Sequence, residues 1–138
     1  MRLVADANVL LSAILGGKAN AVLRHPEVEE VITCRATLDE VEEYVPILAR
    51  KRRLSLDVLL LALAAMPVTV ADRAVYASAI QEARKLIGGR DPDDVEILAL
   101  TLYAKLPLWS NDNDFEGTGV EWYTTAEMLL KLGLSKPR

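Results

Sequence analysis

Short apolar runs alternate with helix-forming segments along the whole 138-residue sequence. Five runs have the apolar and β-branched composition of strands: residues 2–5, 30–34, 67–71, 107–109 and 120–123. The segments between them place apolar residues at helical spacing, and glycine pairs at 16–17 and 88–89 end two of these helices. Strands that alternate with helices usually pair in parallel, because the helix forms the crossover connection. The sequence therefore predicts an α/β fold, a three-layer α/β/α sandwich with a central parallel sheet of four to five strands.

The length and composition are typical of one compact domain. The chain is 51% hydrophobic and 26% charged, and we expect a single domain at residues 1–134 followed by a flexible tail at 135–138. The start of the chain does not resemble a signal peptide, and no apolar run reaches the ~18 residues of a membrane-spanning helix. We therefore expect a cytoplasmic protein without a membrane partner.

The scarcity of cysteine and histidine narrows the possible chemistry. One Cys and one His are too few for a Cys/His zinc site or an internal disulfide framework. A nucleophile activated by histidine is equally poorly supplied. Any metal bound by this chain is therefore expected to have oxygen ligands.

Acidic residues occur where the predicted strands end or the predicted helices begin. Asp6 follows the first strand, and Asp112 follows the fourth. Asp94 lies in the first turn of the helix before the fourth strand, and Glu40 lies in the first turn of a helix headed by Thr37. The carboxyl ends of parallel strands and the N-termini of the following helices share one edge of a sheet. The four acids are therefore expected to converge at that edge.

Helix capping is the structural alternative for the acids near helix starts. Asp91, which precedes a proline, fits an N-cap, and Asp94 either caps the same helix or points at a ligand. Glu40 stands three residues after Thr37, which is the spacing of a capping box. Asp6 has no evident capping role, so capping alone does not explain the convergence.

Carboxylates gathered at one place indicate a metal site. Each carboxylate raises the pKa of its neighbours, and a divalent cation is the usual compensation. A set of ligands made only of oxygen atoms suits Mg²⁺ or Mn²⁺. Such sites typically position a water molecule for in-line attack on a phosphodiester.

Two further segments suggest binding surfaces. The net charge is −4, which argues against a general nucleic-acid coat, but four consecutive cations end the helix that contains Glu40: Arg50, Lys51, Arg52 and Arg53. This run is either a solvated face or, as the best candidate in the chain, a contact with RNA phosphates. The helix at 56–66 is apolar on every side, so we expect it to be buried or to pack against a partner chain.

Four motifs, in order along nearly the whole chain, resemble those of the PIN domain family. They are DANVLLSA at 6–13, the glutamate Glu40 at a helix start, DPDD at 91–94 before ILAL at 97–100, and WSNDNDF at 109–115. The closing WYTT at 122–125, with Leu129 and Leu130, also resembles small prokaryotic members of the VapC toxin type. Asn111 and Asn113 depart from the family pattern, in which Thr or Gly and Lys are frequent at these positions.

The resemblance implies a Mg²⁺- or Mn²⁺-dependent endoribonuclease that cleaves single-stranded RNA. It implies a homodimer, and inhibition by a cognate antitoxin as the toxin of a type II toxin–antitoxin pair. By position, the catalytic and metal-binding residues would be Asp6, Glu40, Asp94 and Asp112, with Asp114 as a further metal ligand. Asn8 and Ser110 would orient the carboxylates or water.

Two other functions remain open from the sequence. One is a non-catalytic PIN-like module that binds RNA or protein, and the other is an RNA-processing nuclease without an antitoxin. The intact set of four acids favours an enzyme. The sequence does not specify the RNA target, because that choice depends on contacts at the rim of the site and on RNA shape.

Overall fold

The structure, a computed structural model, describes residues 1–135. Its five strands are β1 (Arg2–Ala5), β2 (Glu30–Cys34), β3 (Thr69–Ala71), β4 (Leu108–Trp109) and β5 (Trp122–Tyr123). Its α-helices are α1 (Ala7–Ile14), α2 (Lys18–Leu23), α3 (Arg35–Arg52), α4 (Leu56–Ala64), α5 (Arg73–Tyr76), α6 (Ile80–Ile87), α7 (Val95–Ala104) and α8 (Thr125–Lys131). Short 3-10 helices cover Ala77–Ala79, Pro92–Asp94 and Asn113–Phe115. Of the predicted tail at 135–138, residues 136–138 lie outside the described residues.

All five strands form one parallel sheet in the order β3-β2-β1-β4-β5. The predicted parallel α/β fold is therefore confirmed. The chain moves outward from β1 through β2 to β3 and then returns to the other side of β1 with β4. In open parallel sheets, ligands bind outside the carboxyl ends of the strands at such a reversal of strand order. The fold therefore indicates a binding site at the carboxyl ends of β1 and β4.

The strand β1 separates two apolar cores, one on each face of the sheet. Leu3 and Ala5 join a core formed with helices α1, α2, α3, α4 and α8. Val4, between them, joins a second core formed with α5, α6 and α7. All three side chains are fully buried, and burial of a Leu or Val side chain stabilises a fold by roughly 1.5–3 kcal/mol. The alternation along β1 fixes which helices lie in each outer layer.

The start of α3 differs from the prediction. The helix begins at Arg35, directly after β2, and its N-cap is Cys34, which has extended backbone angles and no side-chain capping bond. Thr37 therefore lies inside the first turn, where its Oγ1 is 3.0 Å from the Sγ of Cys34. The predicted capping box between Thr37 and Glu40 is wrong, because the strand passes into the helix without a loop. Glu40 is left with no capping role.

Other element boundaries differ more modestly. The third strand begins at Thr69 instead of at Pro67, since proline has no backbone N–H to donate to a strand ladder. The segment between the third strand and the glycine pair at 88–89, which the sequence predicts to be helical, is divided into α5, a 3-10 turn and α6. Tyr76 lies at this division, fully buried, and its hydroxyl donates to Glu96 of α7 at 2.8 Å. Among the described residues, none of the helices is both long and apolar enough to cross a membrane.

Candidate active site

A cleft of about 460 Å³ opens at the carboxyl edge of the sheet. Seven of its lining residues carry carboxylates: Asp6, Glu40, Glu43, Asp91, Asp93, Asp94 and Asp112. Asp6 follows β1 and Asp112 follows β4, so the cleft lies at the reversal of strand order. The predicted convergence of Asp6, Glu40, Asp94 and Asp112 on one cleft is therefore observed. The chemical roles of these acids remain predictions.

Asp6 is the N-cap of α1. Its Oδ1 accepts from the backbone N–H of Ala7 at 2.8 Å. The expectation that Asp6 has no capping role is therefore wrong, because α1 begins immediately after β1. Its Oδ2 accepts from Ser110 Oγ at 2.8 Å and from Asn8 Nδ2 at 3.1 Å. Burial raises the pKa of Asp6 and the charge of Asp112 raises it further, while these hydrogen bonds lower it.

Asn8 and Ser110 connect Asp6 to the loop that follows β4. The hydroxyl of Ser110 accepts from the backbone N–H of Asp112 at 3.1 Å, and Asn8 Oδ1 accepts from the backbone N–H of Asn111 at 3.0 Å. Asn111 Oδ1 in turn accepts from the first backbone N–H of α8, on Thr125, at 2.8 Å. Asn111, a departure from the family pattern, thus ties this loop to α8. These hydrogen bonds fix the orientation of the Asp6 carboxylate and the position of the Asp112 backbone.

Asp94 has a buried carboxyl oxygen without a partner. The residue is only 9% exposed, and its Oδ2 makes no hydrogen bond. The capping alternative for Asp94 is wrong: Asp91 caps the 3-10 turn, accepting from the N–H of Asp93 at 3.0 Å, and Asp94 caps nothing with its side chain. Burial, and then the charges of Asp6, Asp91 and Asp112, raise the pKa of Asp94 to about 8.

Four carboxylates lie close enough to share a metal ion. Asp91, Asp94, Asp112 and Asp114 each offer an oxygen, and these oxygens all lie within 4.8 Å of one another. The backbone N–H of Asp114 donates to Asp112 Oδ1 at 2.9 Å, so the 3-10 turn after β4 positions both of its acids. This arrangement fits a divalent cation, which would also supply the partner that Asp94 Oδ2 lacks.

Asp91 is the member of this cluster that the sequence prediction missed. Capping by itself accounts for Asp91, so the sequence does not predict it as a metal ligand. The signal was present in its spacing, because residues three apart lie on the same side of a 3-10 turn and Asp91 precedes Asp94 by three. The predicted ligands Asp6 and Glu40 lie outside the four-residue cluster, although both line the same cleft.

Glu40 enters the cleft from α3 and stays near the other acids. Partial burial raises its pKa, and the charges of Asp6, Asp93 and Asp91 raise it further. Its side chain is nevertheless exposed to solvent. Of the four acids predicted to be catalytic, Glu40 is therefore the one most accessible to water and to an incoming substrate.

The basic run at the end of α3 is exposed over its whole length. Lys51 is the member that contacts the cleft: its Nζ donates to the hydroxyl of Tyr44, which lines the cleft, at 3.0 Å. Lys51 lies eleven positions after Glu40, which is roughly 16 Å along a helix. This geometry does not test the prediction that all four cations contact RNA. The hydrogen bond to Tyr44 does distinguish Lys51 from the other three.

Comparison with known proteins identifies relatives of this fold. The sequence profile of the PIN domain family matches residues 4–133, whereas no curated protein matches the sequence. The structure of PAE2754 from Pyrobaculum aerophilum is similar with a TM-score of 0.72 and 14% identity, covering 98% of this chain and 91% of that one. VapBC2 from Rickettsia felis, bound to a DNA fragment from its promoter, is similar with a TM-score of 0.64 and 13% identity, covering 90% and 98%. Mycobacterium tuberculosis VapC20, a toxin that cleaves the Sarcin-Ricin loop, is similar with a TM-score of 0.58 and 18% identity, covering 86% and 95%.

Proposed function

This chain belongs to the PIN domain family, and on that premise we propose that it is a Mg²⁺- or Mn²⁺-dependent endoribonuclease that cuts single-stranded RNA. The unpartnered carboxyl oxygen of Asp94 is the observation that carries this proposal. A buried carboxylate oxygen without a hydrogen bond, next to three further carboxylates, is costly unless a ligand offsets the charge. A divalent cation offers both the charge and the coordination that this position lacks.

The donor atoms favour a hard cation. Asp91, Asp94, Asp112 and Asp114 would hold it through carboxylate oxygens alone, and such ligands suit Mg²⁺ and Mn²⁺ better than they suit softer metals. When bound, the cation would offset the negative charge that develops on the phosphate during hydrolysis. Asp6, which is held in place by hydrogen bonds from Asn8 and Ser110, would add a further carboxylate beside the cation.

Glu40 is the best-placed residue to accept a proton from the attacking water. It lies in the cleft and is accessible to solvent. Partial burial, and then the neighbouring carboxylates, raise its pKa toward the range useful for a base. In the reaction, the water oxygen bonds to phosphorus and one phosphorus–oxygen ester bond breaks. The departing RNA oxygen takes up a proton from solvent, and Glu40 releases to solvent the proton that it accepted from water.

We also propose that the ribonuclease acts in the cytoplasm as the toxin of a type II toxin–antitoxin pair. The similarity of its fold to VapBC2 and VapC20 supports this proposal. The apolar helix α4 supports a partner, since its side chains at Val58 and Leu61 are 61% and 71% exposed. A homodimer partner or a cognate antitoxin would cover such a surface.

Cleavage of a labelled, unstructured RNA oligonucleotide tests the proposal. We expect the purified protein to cut it internally with Mn²⁺ or Mg²⁺ and to stop in EDTA. Asp94→Asn should lower the rate by roughly 100-fold or more, since loss of a ligand exceeds the effect of losing a residue that only orients one. Asp57→Asn is the matched control, because it makes the same change of charge on the exposed first turn of α4.

The outcomes separate the candidate functions. Cleavage that Asp94→Asn leaves unchanged would come from another site or a contaminant. Wild-type protein that binds RNA with metal present and leaves it intact would be a non-catalytic binding module. A ribonuclease that is not inhibited by a small DNA-binding protein encoded beside it would instead be an RNA-processing enzyme.

A further inference from the structure

One face of helix α3 leads from the acidic cluster toward the end of the helix and combines charged, aromatic and aliphatic side chains. Glu40, Tyr44, Ile47 and Lys51 follow the i, i+4, i+7, i+11 spacing of a single helix face. The first three line the cleft, and Lys51 reaches it through the hydroxyl of Tyr44. The order along the helix is therefore acid, aromatic ring, aliphatic side chain and cation.

The apolar part of this stripe has no use in binding a cation. Ile47 is 37% exposed, and Leu11 of α1 joins Ile47 and Tyr44 in lining the cleft. Tyr44 is half-buried and packs against the apolar core, so its ring is anchored while part of it remains accessible. Aromatic and aliphatic surface beside a phosphate-handling site matches the faces of nucleobases, which stack on aromatic rings independently of sequence.

Lys51 does not block the face of the Tyr44 ring. Its Nζ is 3.0 Å from the hydroxyl oxygen but 5.4 Å from the ring centre. The ammonium group therefore lies beyond the hydroxyl end of the ring and not above its centre. This geometry leaves the ring available for stacking and holds a positive charge at its outer end.

We propose that Tyr44 and Lys51 form a nucleotide subsite for the RNA strand, in which the Tyr44 ring stacks on a base next to the scissile phosphate and Lys51 contacts the following phosphate. This inference rests on the proposed ribonuclease function. The strand would run along α3, with its scissile phosphate at the carboxylates and its next nucleotide over the aromatic and aliphatic surface. Of the four cations at the end of α3, Lys51 then carries the phosphate contact nearest to the site.

Equilibrium binding of two short oligomers tests the subsite. One is a single-stranded RNA, and the other is an oligomer of the same length that has the sugar–phosphate backbone but no bases. Binding is measured by fluorescence anisotropy in EDTA and at low salt, so that no cleavage occurs. We expect the wild-type protein to prefer the RNA that carries bases.

The variants separate stacking from phosphate contact. Tyr44→Leu should weaken RNA binding roughly tenfold, the range of one stacked base, and leave the oligomer without bases unaffected. Tyr44→Phe keeps the ring and should keep the preference for bases. Lys51→Ser should weaken both oligomers alike and reduce the salt slope by about 0.7, the value for one phosphate contact on a single strand. Lys85→Ser is the matched control, because Lys85 is an exposed lysine on α6 in the other helical layer, and it should change neither quantity.

Cleavage kinetics provide a second readout. With Mn²⁺, Tyr44→Leu should raise KM for RNA by a similar factor and change kcat much less, because the stacked base does not react. Thermal melting of each variant checks that the fold is retained.

The failure of the subsite and the failure of the proposed function give different results. Wild-type protein that cuts RNA with Mn²⁺, while Tyr44→Leu leaves both binding and KM unchanged, would remove the subsite and keep the ribonuclease. Preference for bases that depends on Tyr44, without cleavage, would keep the subsite and remove the ribonuclease. Wild-type protein that binds the two oligomers equally, or binds neither, overturns the subsite.

Discussion

Asp94 makes the metal-free protein sensitive to pH. Its ordinary pKa of 3.8 is raised to about 8 by burial and by the charges of Asp6, Asp91 and Asp112. An acid whose pKa is higher in the folded state binds protons more tightly there than in the unfolded chain. Between pH 3.8 and about 8 the folded state therefore binds more protons, and the stability contributed by protonated Asp94 is lost as the pH rises.

We expect Asp94→Asn to stabilise the protein in EDTA at high pH. The amide removes the charge that the fold disfavours, so the melting temperature near pH 8 should rise by roughly 3 °C or more. Wild-type stability should fall as the pH is raised from about 5 to about 8.5, and the variant should show a shallower fall. Thermal melts followed by circular dichroism measure both effects, with Asp57→Asn as the control. An Asp94→Asn variant that is less stable than wild type in EDTA near pH 8 would contradict this account.

Asp6 belongs to the acidic cleft and also stabilises the start of helix α1. Asp6 gives α1 its N-cap and is also held by Asn8 and Ser110. Asp6→Ala should therefore destabilise the protein by roughly 1–3 kcal/mol, through loss of the cap and of buried hydrogen-bond partners. Asp6→Asn keeps an acceptor oxygen for the Ala7 N–H and should cost less. Urea denaturation compares the two, and an Asp6→Ala variant as stable as wild type would show that the cap contributes nothing.

The helices and strands that the sequence predicts well are those set by local pattern. The alternation of apolar runs with helical segments is sufficient to predict the parallel sheet, and the strand ends and helix starts place Asp6, Glu40, Asp94 and Asp112 at one edge of it. The local roles of individual acids are harder to predict. Capping signals assigned Glu40 to a box that does not exist, because α3 follows β2 without a loop and begins before Thr37.

Tertiary proximity explains what the sequence could not predict. Asp91 satisfies a local capping rule, and only its three-residue spacing from Asp94 indicates a second role. Its closeness to Asp112 and Asp114 is a tertiary contact, made by the turn after β4. The contact between Tyr44 and Lys51 follows helical spacing and was accessible from sequence. That the same face lines the acidic cleft depends on how α3 packs on the sheet.

In the protein as a whole, α4 is the helix whose apolar side chains are least covered by other elements. Of its residues only Leu59 is buried, while Leu56, Val58, Leu60 and Leu61 are exposed. The predicted burial of this helix within the chain is therefore limited to Leu59 and to the half-buried Ala62 and Leu63, which pack against the core. The predicted packing against another chain remains a prediction. A stable interface buries about 800 Å² on each partner, and a helix face of this kind is a suitable centre for one.

We expect the protein to self-associate through α4. Sedimentation at tens of micromolar should give a dimer, and Leu61→Glu should shift it toward monomer because it places a charge in the apolar contact. Val75→Glu is the matched control, since Val75 is also exposed but lies on α5 in the other helical layer. Wild-type protein that is strictly monomeric in the absence of any partner protein would contradict the prediction.

Binding of Mn²⁺, followed by electron paramagnetic resonance of the free ion, tests directly whether the acidic cluster holds a cation. If Asp91, Asp94, Asp112 and Asp114 form a cation site, wild-type protein should bind Mn²⁺ at or below millimolar concentration. Asp94→Asn should bind at least about tenfold more weakly, and Asp57→Asn should bind as wild type does. Wild-type protein that leaves millimolar Mn²⁺ free, or an Asp94→Asn variant with unchanged affinity, would contradict the account.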